Sequence, residues 1–138
     1  VERCIEHIRH RGIVVAVIIR AGYRKEGIEF FTPGSFSQQL AYMNRPVGYK
    51  ISPHVHNEVR RDVFHTQEVL FVRTGKVKVD FYSVEHDYLE SRVLEPGDVI
   101  LLASGGHGFE MLENTELIEV KQGPYLGDQD KVRFGPRE

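Results

Sequence analysis

The chain has 138 residues, 41% of them hydrophobic and 28% charged, with a formal net charge of −2. That size and balance specify a single soluble globular domain with room for a real core. The near-neutral charge gives no reason to expect nucleic acid or an anionic membrane as partner, and no apolar run approaches the roughly 18 residues of a membrane span.

The chain carries one cysteine, Cys4. It excludes an internal disulfide, and we read it as an ordinary thiol suited to a reducing cytoplasm. No small-residue cleavage pattern follows the first apolar stretch, so no signal peptide is expected. The opening "VERCIEHIRHR" reads equally as a short helix or an edge segment. "GIVVAVII", Gly12 to Ile19, is β-branched and strand-length, and predicts a buried strand. "IEFFTPG" ends in a Pro-Gly turn. In "SFSQQLAYMNRP", Phe36, Gln38, Leu40 and Tyr42 share a face if the segment is extended.

"QEVLFVRTGKVKVDFYS" reads as a hairpin turning at Thr74-Gly75-Lys76, with Val77, Val79 and Phe81 alternating against Lys76, Lys78 and Asp80. A Glu95-Pro96-Gly97-Asp98 turn precedes a buried strand from Val99 to Leu102. A glycine break and another strand follow. In "LIEVKQ" an apolar interior would take Ile118, Val120 and Gln122 rather than Leu117, Glu119 and Lys121. The tail from Gly127 is polar and reads as loosely held. Many short strands, frequent Gly and Pro turns and little helix predict an all-β antiparallel barrel or sandwich.

Chemistry-bearing residues concentrate in the middle. His54 and His56 are alternate residues, so in a strand they project from one face about 6.6 Å apart. Gly48 precedes them, Glu68 and Gly75 follow, and His107 lies in the next strand–turn–strand unit. Three imidazoles and a carboxylate suit a divalent transition metal. His7, His10 and His86 have no partner motif and read as surface residues.

"GYKISPHVH", "EVLFVRTG" and "PGDVILLASGGHGF" resemble the two motifs of the cupin superfamily, over Gly48 to about Phe109. The resemblance implies a double-stranded β-helix, or jelly-roll barrel, of six to eight strands. A single cupin domain would span 1–138: an N-terminal edge segment and strand over 1–29, the barrel over 30–125 and a polar tail over 126–138. It further implies one divalent metal ion (Zn, Fe, Mn, Ni or Cu) held by His54, His56, Glu68 and His107. The loop "NEVRRDVFHTQ" puts eleven residues between His56 and Glu68 and leaves Glu58 and His65 as rivals. Glu68 is preferred for its family-like distance to Gly75. The asparagine that often follows the last histidine is replaced by Met111.

The function so implied is a metal-dependent enzyme, of oxygenase or isomerase type, acting on a small polar substrate such as a sugar derivative or a carboxylate. Alternatives are a non-catalytic cupin module that binds a small ligand, and a metal-free sugar-nucleotide isomerase or epimerase of the same superfamily. Arg60 and Arg61 are either a solvated pair or a clamp for an anionic substrate. Gln38, Tyr42 and Phe109 are candidate cavity-lining residues, with Met111 sharing the inward face of His107 and Phe109. Small barrels of this kind commonly pair, so a homodimer is expected. "GIVVAVII" would serve as its edge if it is not a central strand.

Overall fold

The structure, a computed structural model, describes residues 4–135. The first three residues of the opening segment and the last three of the tail lie outside the described residues. The strands run in chain order β1 (Ile5–His10), β2 (Ile13–Ile19), β3 (Gly27–Phe30), β4 (Ala41–Asn44), β5 (Glu68–Thr74), β6 (Val77–Tyr82), β7 (Tyr88–Leu94), β8 (Val99–Leu102), β9 (Gly106–Met111) and β10 (Glu116–Lys121). They form three antiparallel sheets: five strands in the order β1-β2-β8-β5-β10, three in the order β7-β6-β9, and the pair β3-β4. The undecided N-terminal segment is therefore a strand.

Two sheets enclose the main core. Ala16 and Ile18 of β2, Leu70 and Val72 of β5, and Ile100 and Leu102 of β8 meet Val77, Val79 and Phe81 of β6 and Leu94 of β7. The opposite face of the five-stranded sheet carries a second cluster, Val17, Ile19 and Leu101, covered by Leu40, Phe31 and Phe36 from the β3–β4 region. This explains why β2 and β8 read as unbroken apolar runs. Both faces are buried, so alternation disappears. β2 bonds to β1 on one side and β8 on the other, which makes it a central strand, not a free edge for a dimer.

The expected hairpin at Gly75 is a corner. β5 belongs to the five-stranded sheet and β6 to the three-stranded one, so the turn carries the chain from one core layer to the other. Gly75 has φ +93°, and an added Cβ would collide with Asn114 and Thr115. Only glycine fits. The Glu95–Asp98 turn is a second such corner, joining β7 to β8. Alternating hydrophobicity marks strands well, but it does not say which strands pair; here the corners decide.

No closed barrel forms among the described residues. Closure requires two bonded neighbours for every strand, and β9 and β10 have one each. The segment from Met43 to His65 is exposed throughout, and no strand is assigned between Asn44 and Glu68. The double-stranded β-helix of a cupin is thus replaced by three separate open sheets, because the stretch that had to supply the closing strand stands in solvent. The cupin resemblance rests on short motifs, and the fold overturns it.

Candidate functional site

Glu68 opens β5, where it pairs in register with Leu102 of β8 and Lys121 of β10. Strand periodicity puts Glu68, Leu70 and Val72 on one face, so the carboxylate points into the space between the sheets. His107 comes from the opposite sheet, in register with Phe81. His107 Nε2 lies 3.1 Å from Glu68 Oε2, both side chains being partly buried. Phe109 follows on the same face of β9, its ring centroid 5.4 Å from that of His107. It is 38% exposed, and Met111 beyond it is 50% exposed, so the space between the sheets beside the pair is open to solvent on the β9 side.

The hydrogen bond from His107 holds the Glu68 carboxyl below its ordinary range. Burial opposes this, while the charge of His107, a hydrogen bond from Glu119 and the charge of Lys121 add to the lowering. An ionised carboxylate can only accept, so His107 Nε2 is the donor in this contact. Lys121 Nζ lies 3.3 Å from Glu119 Oε2, and both residues flank Glu68 on the inner face of β10. The inner face therefore takes Leu117, Glu119 and Lys121, the reverse of the sequence expectation. Leu117 packs on the core, while Ile118 and Val120 point outward, 48% and 55% exposed. An antiparallel register is set by backbone pairing to β5, and that pairing outweighs the apolar character of the outward pair.

The other expected ligands are elsewhere. His54 and His56 lie in the exposed segment, their ring centroids 5.3 Å apart, and the backbone carbonyl of Ser52 lies 2.8 Å from His54 Nδ1. Glu58 and His65 are exposed in the same segment. Of the four expected ligands, only Glu68 and His107 meet. No group of three or more His, Cys, Asp or Glu side chains able to hold a metal gathers among the described residues. The four side chains do not form one donor set, and the metal-dependent cupin enzyme inferred from them is overturned with the barrel.

Arg60 Nε lies 3.6 Å from Asp62 Oδ1, and both side chains are largely exposed; Arg61 is exposed as well. Gln38 is engaged outside the groove. Its backbone N–H donates to Gln67 Oε1 at 3.0 Å and its side chain to Gln122 Oε1 at 3.0 Å. Tyr42 is on the outer face of the five-stranded sheet, its ring 4.9 Å from that of Tyr23. There it borders a cleft of about 230 Å³ with Ile19, Arg20, Arg24 and Leu40.

Gln67 escaped the sequence reading. It is buried, its Oε1 also accepts from Ser37 Oγ at 3.3 Å, and its Nε2 donates to Ala103 O at 3.4 Å. It therefore clamps the loop before β4 onto the root of β5, beside Glu68. Its place next to Glu68 at a strand start was the available signal. Glu119 and Lys121 were visible as one face of a strand, but assigned to the wrong side.

A scan against family models, a search of the curated proteins and a search of the solved structures each returned no match. No helix among the described residues is long and apolar enough to cross a membrane.

Proposed function

We propose that the groove between the two core sheets binds a small hydroxyl- or carbonyl-bearing molecule and exchanges a proton with it through His107. The observation that carries this reading is the 3.1 Å contact between His107 Nε2 and Glu68 Oε2. A carboxylate that accepts from one ring nitrogen orients the imidazole, leaves the other nitrogen basic and stabilises the imidazolium once a proton is taken. Nδ1 is the base, and the same atom returns the proton. Lys121 adds a positive charge at the rim, favourable to oxygen bearing negative charge in the transition state. Phe109 supplies an apolar wall beside the ring.

The test is deuterium incorporation from D2O at carbons next to the carbonyl in a panel of small hydroxy-aldehydes and hydroxy-ketones, followed by proton NMR. Exchange accelerated by the wild type and lost in His107→Asn supports the proposal. Equal exchange in both proteins overturns it.

A further inference from the structure

From Val47 to Val63 the large apolar side chains all fall on odd positions, Val47, Tyr49, Ile51, Val55, Val59 and Val63, with Pro53, Asn57 and Arg61 at the remaining odd positions. Even positions are mostly polar, Lys50, Ser52, His54, His56, Glu58, Arg60 and Asp62 among them. This is the pattern of a strand with one face buried. Yet Val47 is fully exposed, Val55 88% and Val59 59%. Exposed loops of this length with no structure of their own are uncommon in small domains. The segment has the chemistry of a sheet strand and no sheet.

The same molecule has a sheet lacking a strand. Among the described residues β9 is bonded only to β6. Its inward residues Phe109 and Met111 lie open beside its unpaired edge, an arrangement that recruits another strand. Charge is complementary as well. Residues 45–65 carry Arg45, Lys50, Arg60 and Arg61 against Glu58 and Asp62, whereas residues 106–119 carry Glu110, Glu113, Glu116 and Glu119 with no lysine or arginine. Those four glutamates face their own cations only at 3.3 to 3.9 Å on exposed surface. Pairs of that kind contribute at most about 1 kcal/mol and exchange readily.

We infer that the segment 47–63 of one copy adds as a strand to the free β9 edge of a second copy, with its odd-numbered apolar face laid over Phe109 and Met111. Two copies exchange arms reciprocally about a two-fold axis. The occupant is this chain's own segment because strand pattern and open edge occur together in one molecule, with matching apolar faces and opposite charge. The arm is anchored at both ends, by β4 and by β5, so each copy donates one arm and receives one. The arm of the partner also roofs the groove that contains Glu68 and His107.

The experiment measures molar mass by light scattering for the full chain and two variants over a concentration series. Ile51→Lys with Val55→Lys disables the arm, and Met111→Lys disables the receiving edge. The arm side chains are exposed in the chain itself, so the first variant leaves the core intact, which an unchanged thermal transition of the diluted monomer verifies. The wild type is expected to be a dimer, and each variant to dissociate at least about tenfold more readily. A mixture of the two variants should recover dimer in part, because the intact arm of one meets the intact edge of the other at one of the two exchanges. A monomeric wild type, or an arm variant as dimeric as the wild type, overturns the inference. So does a mixture no more dimeric than either variant alone. Mass is read without reference to proton transfer, so this result stands or falls separately from the chemistry at His107.

Discussion

Asp98 Oδ2 accepts a hydrogen bond from Arg20 at 3.0 Å, and through that contact the turn between β7 and β8 is tied to the end of β2. The same carboxylate accepts from the backbone N–H of Ala21 and of Glu95, each at 2.8 Å. Arg20 also reaches Glu6 of β1 at 2.7 Å and the carbonyl of Val93 in β7 at 2.7 Å. One buried carboxylate thus joins both core sheets at a corner.

Asp98→Ala removes a carboxylate that is 4% exposed and leaves two backbone donors and a guanidinium without their acceptor. The expected loss is about 3 kcal/mol of unfolding free energy, as for other broken buried pairs. Chemical denaturation is the measurement. A loss below about 1 kcal/mol would mean that water replaces the carboxylate at no real cost.

Gly75→Ala and Gly12→Ala separate steric collision from backbone strain. Both glycines have positive φ, +93° and +78°, but only at Gly75 does a Cβ meet neighbouring atoms; at Gly12 nothing lies within 4 Å. Gly12→Ala is expected to cost about 1 kcal/mol from conformation alone. Gly75→Ala must in addition displace the Asn114–Thr115 backbone, and a denaturant midpoint should fall clearly further. Equal losses would show that the corner yields.

Acid stability follows from two glutamates. In Glu6, burial pushes the carboxyl up, but the hydrogen bonds and charges of Arg20 and Arg92 outweigh it and the net shift is downward from 4.5. In Glu68 the hydrogen bond from His107 leads the same downward shift. Each group binds its proton more weakly folded than unfolded. Its contribution is therefore fully present above pH 4.5 and is lost as pH falls through the folded value. Thermal midpoints should decline below pH 4.5, with a flatter decline in Glu6→Gln and in Glu68→Gln. An identical slope in all three proteins would refute the assignment.

The carboxyl of Glu68 should report its partner. His107→Asn removes the imidazole whose hydrogen bond and charge hold that carboxyl low. The Glu68 titration followed by carbon NMR, assigned by its absence in Glu68→Gln, is expected to move to higher pH in His107→Asn. An unchanged titration would mean that the 3.1 Å contact has no electrostatic consequence.

Phe81 and Val120 contrast a filled interior with an outward strand face. Phe81 is 0% exposed and Val120 55%. Phe81→Ala should cost about 3–5 kcal/mol, and Val120→Ala less than about 0.5 kcal/mol, both by denaturation. A large loss at Val120 would indicate that its face is covered in solution.

Local sequence sufficed for the all-β class, for β2 and β8 as buried strands, and for the turn at Glu95–Asp98. β-branched runs and Pro-Gly turns act on neighbouring residues and need no distant partner. It named Glu68 and His107 as well, but as metal ligands through the resemblance to cupin motifs, which the fold overturns. What it misread depended on partners remote in the chain. Gly75 looked like a hairpin turn because two apolar runs flank it; the pairing of β5 with β8 and β10 makes it a corner. Leu117 and Ile118 exchanged faces because register belongs to the pairing of strands, and composition cannot supply it. His54 and His56 were expected beside Glu68 because motif order suggested convergence, but residues 45–65 are exposed and join no sheet. Which strand lies beside which is settled by the total burial of two sheet faces and by the hydrogen bonds between them, quantities that exist only once the whole chain is assembled.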